Sequence, residues 1–276
     1  MSAFELKSPE QIVAMRAAGL LTGQILLALE ERAAPGVTTL ELDQLAREMI
    51  DQAGAESSFL GYDGGYGLPP FPAVTCISVN EQVVHGIPDG RVLQAGDLVS
   101  IDFGVSLNGW HGDSARTICV AGAPQARLDL SEATRQAMWD GIAAVGVGRT
   151  IGDIGHAVQT SIRAHRPRYG IVREFTGHGI GSQMHMAPDV PNAGWPRRGP
   201  RILDGMVLAI EPITTAGSPK TATMDDEWTV VTADGGDAAH WEHTVAVTKR
   251  GLWVLTAPDG GEAELLARGA KFAPLA

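Results

Sequence analysis

Apolar residues recur at Ile12, Met15, Ala18, Leu20, Ile25, Leu26 and Leu29, a roughly helical period. The run opens on Ser8-Pro9-Glu10-Gln11. A Ser cap, Pro at the first helical position and Gln three residues after the Ser start a helix there. It should stop near Ala34, before Pro35-Gly36. Thr38 and Glu41 form a second capping box, whose helix runs to about Gln52 with Gly54 as its C-terminal cap. Residues 61–72 are rich in Gly and Pro and read as loop. Short β-branched runs then predict strands over 74–79, 98–105 and 115–120.

The same order returns in the second half. A helix predicted from Ser131 to Ala144 leads into Gly148-Arg149-Thr150, which echoes Gly36-Val37-Thr38, and another helix follows to about Ala164. His178-Gly179-Ile180 echoes His85-Gly86-Ile87. In each half an acid, Asp102 or Glu211, lies six residues after a Gly and directly after an Ile. Four matched elements in one order point to an internal duplication, with halves over roughly 8–122 and 128–256 of a single domain spanning 1–276. Two helix–helix–sheet halves would join their sheets, keep the helices outside and enclose a site between them. This is an α/β (α+β) arrangement.

Composition narrows the function. Hydrophobic residues at 44% and charged residues at 19% are ordinary for a globular protein. A formal net charge of −11 argues against a nucleic-acid or anionic-membrane partner. No apolar run stands out as a membrane span, and the start lacks the pattern of a signal peptide. Cys76 and Cys119 are too few for a disulfide scaffold, so a reducing cytoplasm is the default.

Five residues carry the chemistry: Asp102, Asp113, His178, Glu211 and Glu242, in the contexts SIDFG, HGDSA, GHGIG, AIEPI and HWEHT. A carboxylate beside Ile, Phe or Trp is costly to bury unpaired. Four such acids would repel one another and be driven toward protonation. Two divalent cations balance four carboxylates, and the imidazole adds a neutral ligand. Asn108-Gly109 is the preferred dipeptide of a two-residue hairpin turn. Such a turn pairs Asp113 with Gly104 and puts Asp102 on the same sheet face, the two acids being diagonal neighbours with Cα atoms roughly 7–8 Å apart.

These segments resemble the type I methionine aminopeptidases. The resemblance runs from ELKSPEQI to EHTVAVT and is carried by VVHGIP, IDFG, GWHGDSARTI, GHGIG with a second His at 185, LAIEPI and WEHTVAVT. It implies the duplicated pita-bread fold. It also implies Asp102 and Asp113 on a first metal, His178 and Glu211 on a second, with Asp113 bridging and Glu242 bridging both. Such ligands suit Mn, Fe(II), Co or Zn without choosing among them. By resemblance a bridging water becomes the nucleophile, Glu211 assists its proton transfer, and His85 and His185 hydrogen-bond the scissile amide and the developing oxyanion.

Tyr62, Phe71, Cys76, Met184 and Trp228 match the positions that surround a methionine side chain, a setting suited to a thioether. Departures gather here. Residues 65–70 read as an insertion, Phe71 and Met184 replace the usual Tyr and Phe, and His240 stands where Gln is frequent. The implied role is removal of initiator methionine from nascent polypeptides in the cytoplasm, by a monomer, with ribosome docking left open. Met1-Ser2 would itself be a substrate sequence.

Taken singly, an Asp or Glu is far more often a solvated surface charge. Asp102 and Glu211 escape that reading by strand context and symmetry. His111 is read as supporting the site or structural; His156, His165 and His243 as structural or surface; Cys76 as pocket wall, Cys119 as core, and 191–201 as solvated loop. Two rivals share the ligand set. Xaa-Pro peptidases usually carry a large N-terminal domain, whereas 101 residues precede Asp102 here. Type II methionine enzymes carry a helical insertion between the second histidine and the third carboxylate, whereas His185 and Glu211 are 26 positions apart. A non-enzymatic relative would tend to lose ligands.

Overall fold

Both capping boxes form in the computed structural model, which describes residues 4–64 and 67–275. Met1-Ser2, and Gly65 and Tyr66 of the insertion, lie outside the described residues. In the first half, α1 (Pro9–Arg32) and α2 (Thr39–Ala53) precede β1 (Glu56–Ser57), β2 (Cys76–Val79), β3 (Gln82–Val84), β4 (Leu98–Leu107) and β5 (Trp110–Cys119). In the second, α3 (Gln125–Ala143) and α4 (Ile151–Ala164) precede β6 (Gly170–Ile171), β7 (Gly177–Gly179), β8 (Met186–Val190), β9 (Val207–Ile210) and β10 (Ile213–Thr215). Then come β11 (Thr221–Thr223), β12 (Val230–Thr232), β13 (Ala238–His240), β14 (His243–Thr248), β15 (Gly251–Val254) and α5 (Glu262–Ala267).

Gly54 caps α2 at φ 63°, as its place after the last periodic residue predicts. The third helix departs from expectation: it starts at Gln125, after Pro124, not at Ser131. Ser131 is an interior residue whose hydroxyl donates to the Thr117 carbonyl, tying α3 to β5 instead of capping a helix. α1 also departs. By length and composition it is apolar enough to cross a bilayer, yet it is a core helix. Ile12, Met15, Ile25 and Leu29 are buried, and Arg16 donates to the carbonyls of Val254, Leu255, Ala257 and Pro258, stitching this first-half helix to the second half.

Asn108 and Gly109 both take positive φ (53° and 78°), so β4 and β5 form the expected two-residue hairpin. Gly104 pairs with Asp113 and Asp102 with Ala115, all antiparallel. The second half repeats this register. Ile210 pairs with His243 across β9–β14, and Ile213 pairs with His240 across β10–β13. Glu211 and Glu242 therefore stand where Asp102 and Ala115 stand in the first half.

The halves meet in a short symmetric seam. Ala115 and Glu242 exchange backbone hydrogen bonds of 3.3 and 2.9 Å. On one side, Thr117 Oγ1 accepts from the His240 N–H and donates to its carbonyl. On the other, Thr244 Oγ1 does the same for Asp113. Each half keeps its own apolar core beneath its helices: Leu26, Leu42, Ile77 and Phe103 in the first, Met138, Ile154, Leu208 and Val245 in the second. The site lies at the seam between them.

Candidate metal centre and apolar cleft

Asp102 comes from the middle of β4 and Asp113 from its hairpin partner. Gly104, opposite Asp113, makes room: a Cβ there would lie 2.9 Å from the Phe59 ring and 3.3 Å from Asp113 Oδ1. His178 comes from β7, bracketed by Gly177 and Gly179. A side chain at either glycine would run into a neighbouring carbonyl, of Ala209 or Ala187, so only glycine lets these strands approach closely enough. Glu211 and Glu242 face each other in the gap between β9–β14 and β10–β13, where Pro212 interrupts the ladder.

The five side chains converge. His178 Nε2 is 3.6 Å from Glu211 Oε1 and 3.8 Å from Asp113 Oδ2. Ligand atoms of His178, Glu211 and Glu242 lie within 4.8 Å of one another, as do those of Asp102, Asp113 and Glu242. His178 Nδ1 is 3.0 Å from the Gly179 carbonyl, an acceptor only, so Nδ1 carries the proton and Nε2 presents a lone pair. Asp102 Oδ1, Asp113 Oδ1 and Glu242 Oε1 are buried without a hydrogen-bond partner. Buried carboxylate oxygens with no donor are expensive, and divalent cations are the partners that these donors fit.

Protein electrostatics lead to the same conclusion. Burial, and then the neighbouring carboxylates, raise Asp102, Glu211 and Glu242 well above the ordinary range; burial takes Asp113 to about 7. Burial lowers His178 to about 3 and His85 to about 4, with His185 adding to each. Both imidazoles are neutral at pH 7.

The cleft beside these groups has a volume of about 920 Å³. Phe71, Cys76, Met184 and Trp228 form one buried cluster with Phe59 and Ala73, and Tyr62 and Leu68 pack against it. All five predicted pocket residues are thus brought together. Cys76 pairs in register with Asp102; burial, then Asp102 and Asp113, push its thiol well above the usual range, so it is a wall and not a nucleophile. Trp228 Nε1 donates to the Pro69 carbonyl at 2.8 Å, tying the inserted segment to the cleft. His185 stands at the mouth, its Nδ1 2.6 Å from the Tyr62 hydroxyl. His85 takes the left-handed conformation (φ 59°), and its ring stands edge-on to Phe175 and Trp228.

Of the remaining histidines, His111 meets Ser58 Oγ at 2.8 Å through Nδ1, and His243 is buried against Thr256 and Trp139. Cys119 is only half-buried, a correction to its reading as core, because it ends β5. Phe59, Phe175, Met224 and His240 line the cleft and were not assigned to it from sequence. Phe59 and Met224 arrive through non-local packing that leaves no local pattern; His240 had a signal in the hairpin register.

Residues 13–249 match metallopeptidase family M24. The chain belongs to that family. M24 metallopeptidases similar to it include methionine aminopeptidase 1 of Mycobacterium tuberculosis, 51% identical over 91% of this chain and 94% of that protein. Among solved structures, the methionine aminopeptidase of Rickettsia prowazekii superposes with a TM-score of 0.88 at 36% identity, covering 92% of this chain and 100% of that one. The prolidase of Pyrococcus horikoshii shares the fold at a TM-score of 0.70, but at 20% identity and with only 63% of its length covered. The fold is thus the pita-bread arrangement of the M24 metallopeptidases, which use divalent metal, and the buried donor set fits that use.

Proposed function

We propose that this chain is a methionine aminopeptidase, removing the initiator methionine from proteins and peptides whose second residue is small. One observation carries the reading: carboxylate oxygens without hydrogen-bond partners sit beside an apolar cleft walled by Phe71, Cys76, Met184 and Trp228. The names of its similar relatives support it.

In this reading Asp102, Asp113, His178, Glu211 and Glu242 would together hold two divalent cations. The cations would be Mn, Fe(II), Co or Zn; when bound they supply Lewis-acid polarisation and an acidified water. Glu211 would accept and pass on a proton during hydrolysis. His85 and His185, both neutral, donate to the scissile amide and to the oxygen on which charge develops. The apolar cleft seats the methionine side chain and excludes water from it. Metal-stripped protein assayed on Met-Ala, Met-Ser and Ala-Pro peptides, then again with Mn(II), Co(II) or Fe(II), tests the reading. Metal-dependent cleavage of the first two and not the third is expected; the reverse preference would make it an Xaa-Pro peptidase.

The protein acts as a cytoplasmic monomer and docks on the ribosome, where nascent N-termini emerge. Support for docking comes from the distribution of charge, not its sum. Between 149 and 201 the chain carries eight arginines, no lysine and three acids, in a protein of net charge −11.

A further inference from the structure

The pseudo-symmetry assigns His240 a place in the site. Asp113 lies opposite Gly104, two rungs from Asp102 on the same face of the β4–β5 hairpin. His240 lies opposite Ile213, two rungs from Glu211 in the matching position of the second half. The seam shows the equivalence independently, since Thr244 grips the backbone of Asp113 in the same way that Thr117 grips that of His240.

His240 is 2% exposed, and its Nε2 is buried with no hydrogen-bond partner. Its Nε2 lies 3.8 Å from Glu211 Oε2. The other Glu211 oxygen, Oε1, faces His178 Nε2. The carboxylate is therefore flanked by two imidazoles of different character. His178 turns a lone pair inward, while His240 has a nitrogen beside the outer oxygen and no other group to receive it.

We propose that His240 is a positioning residue for Glu211: its Nε2–H donates to Oε2 and fixes the rotation of the carboxylate, so that Oε1 faces the cation shared with His178. The inference rests on the reading of Glu211 as a metal ligand. A small rotation of the Glu211 side chain closes 3.8 Å to hydrogen-bond length. The Thr117 clamp fixes the His240 backbone from which the imidazole projects. A packing role alone would not call for histidine here, because leucine would fill the space without burying an unpartnered nitrogen.

The test is calorimetric titration of chelator-stripped protein with Mn(II), comparing wild type, His240→Leu and His240→Gln. His240→Leu should weaken one of the two equivalents by about 10- to 100-fold, the usual effect of losing a hydrogen-bond partner of a metal ligand. His240→Gln, which keeps a donor, should stay within about threefold of wild type. The metal-free melting temperature of His240→Leu should not fall below that of wild type. Equal Mn(II) affinity in all three proteins overturns the assignment. Loss of one equivalent in both variants also overturns it, by making His240 itself a ligand. A wild-type protein that takes up no Mn(II) overturns the metal reading beneath it.

Discussion

Glu211 stands between two imidazoles and near three other acids, and one carboxylate is proposed both to hold metal and to carry a proton. Glu211→Gln keeps the shape and removes the second capacity. Turnover of Met-Ala should fall by at least about 10²-fold, with an unchanged circular dichroism spectrum. A wild-type rate in that variant would end the proton role given to Glu211. The same crowding fixes how metal-free protein responds to pH. Asp113 titrates near 7, and Asp102, Glu211 and Glu242 are raised well above their ordinary values. A raised carboxyl means that the folded state holds protons the unfolded chain has released, so stability falls as pH rises through the folded value. His85, His178 and His240, lowered to about 4, 3 and 3, act oppositely and make stability rise with pH up to the unfolded histidine range. Above about pH 6.5 only the carboxyl effect of the two remains. Chelated protein should therefore melt at progressively lower temperature from pH 7 to 9, and saturating Mn(II) should abolish the trend. A chelated melting temperature that holds or rises over that window would contradict the account.

At the scale of elements, the halves are joined by the β3–β12 ladder and, at the seam beside the site, by two threonine hydroxyls, each filling both backbone hydrogen-bonding positions of the residue across it. Thr117→Val or Thr244→Val leaves a buried N–H and C=O unpaired. Each should cost about 1–3 kcal/mol, read as a lower urea midpoint. Thr244→Val should also reduce metal affinity, because it releases the backbone of Asp113. A midpoint unchanged by both substitutions would mean that the seam does not stabilise the fold. These elements differ in how far the sequence announced them. Ser8, Thr38 and Gly54 act within one turn of chain, so their roles were readable. Asn108-Gly109 set a register, and that register located Asp102 and Asp113 with the correct partners. Ser131 misled because its hydroxyl serves β5 and not its own helix. Phe59 and Met224 reach the cleft through tertiary packing alone. His240 was legible in principle, by applying the first half's hairpin register to the second.

Over the whole molecule, net charge conceals an uneven distribution. Arg47, Arg116, Arg127, Arg135 and Arg268 are each paired with an acid, whereas among the described residues none of the eight arginines from 149 to 201 is in an ion pair. Their segments run along α4. The loop after β8 packs against Gly152 and Gly155, and Gln159 links Gly194 to Arg173. Trp195, 78% exposed, projects from that loop beside Arg197 and Arg198. On the proposed ribosome contact, an exposed indole beside guanidinium groups outside any ion pair would meet phosphates and unstacked bases. The acidic net charge argues against a nucleic-acid partner for the molecule as a whole, and the proposed ribosome contact rests on this local run of arginines alone. Arg197→Glu/Arg198→Glu should therefore weaken sedimentation with ribosomes roughly tenfold at moderate salt and flatten its salt dependence, as loss of phosphate contacts does. Hydrolysis of Met-Ala should be unaffected. The loop is anchored to α4 by backbone groups, including the Arg197 N–H on Asp153 and the Arg198 carbonyl on the Gly152 N–H, so the substitution leaves those anchors in place. Ribosome binding equal to wild type at every salt concentration would remove this face from the docking surface while leaving the peptidase assignment untouched.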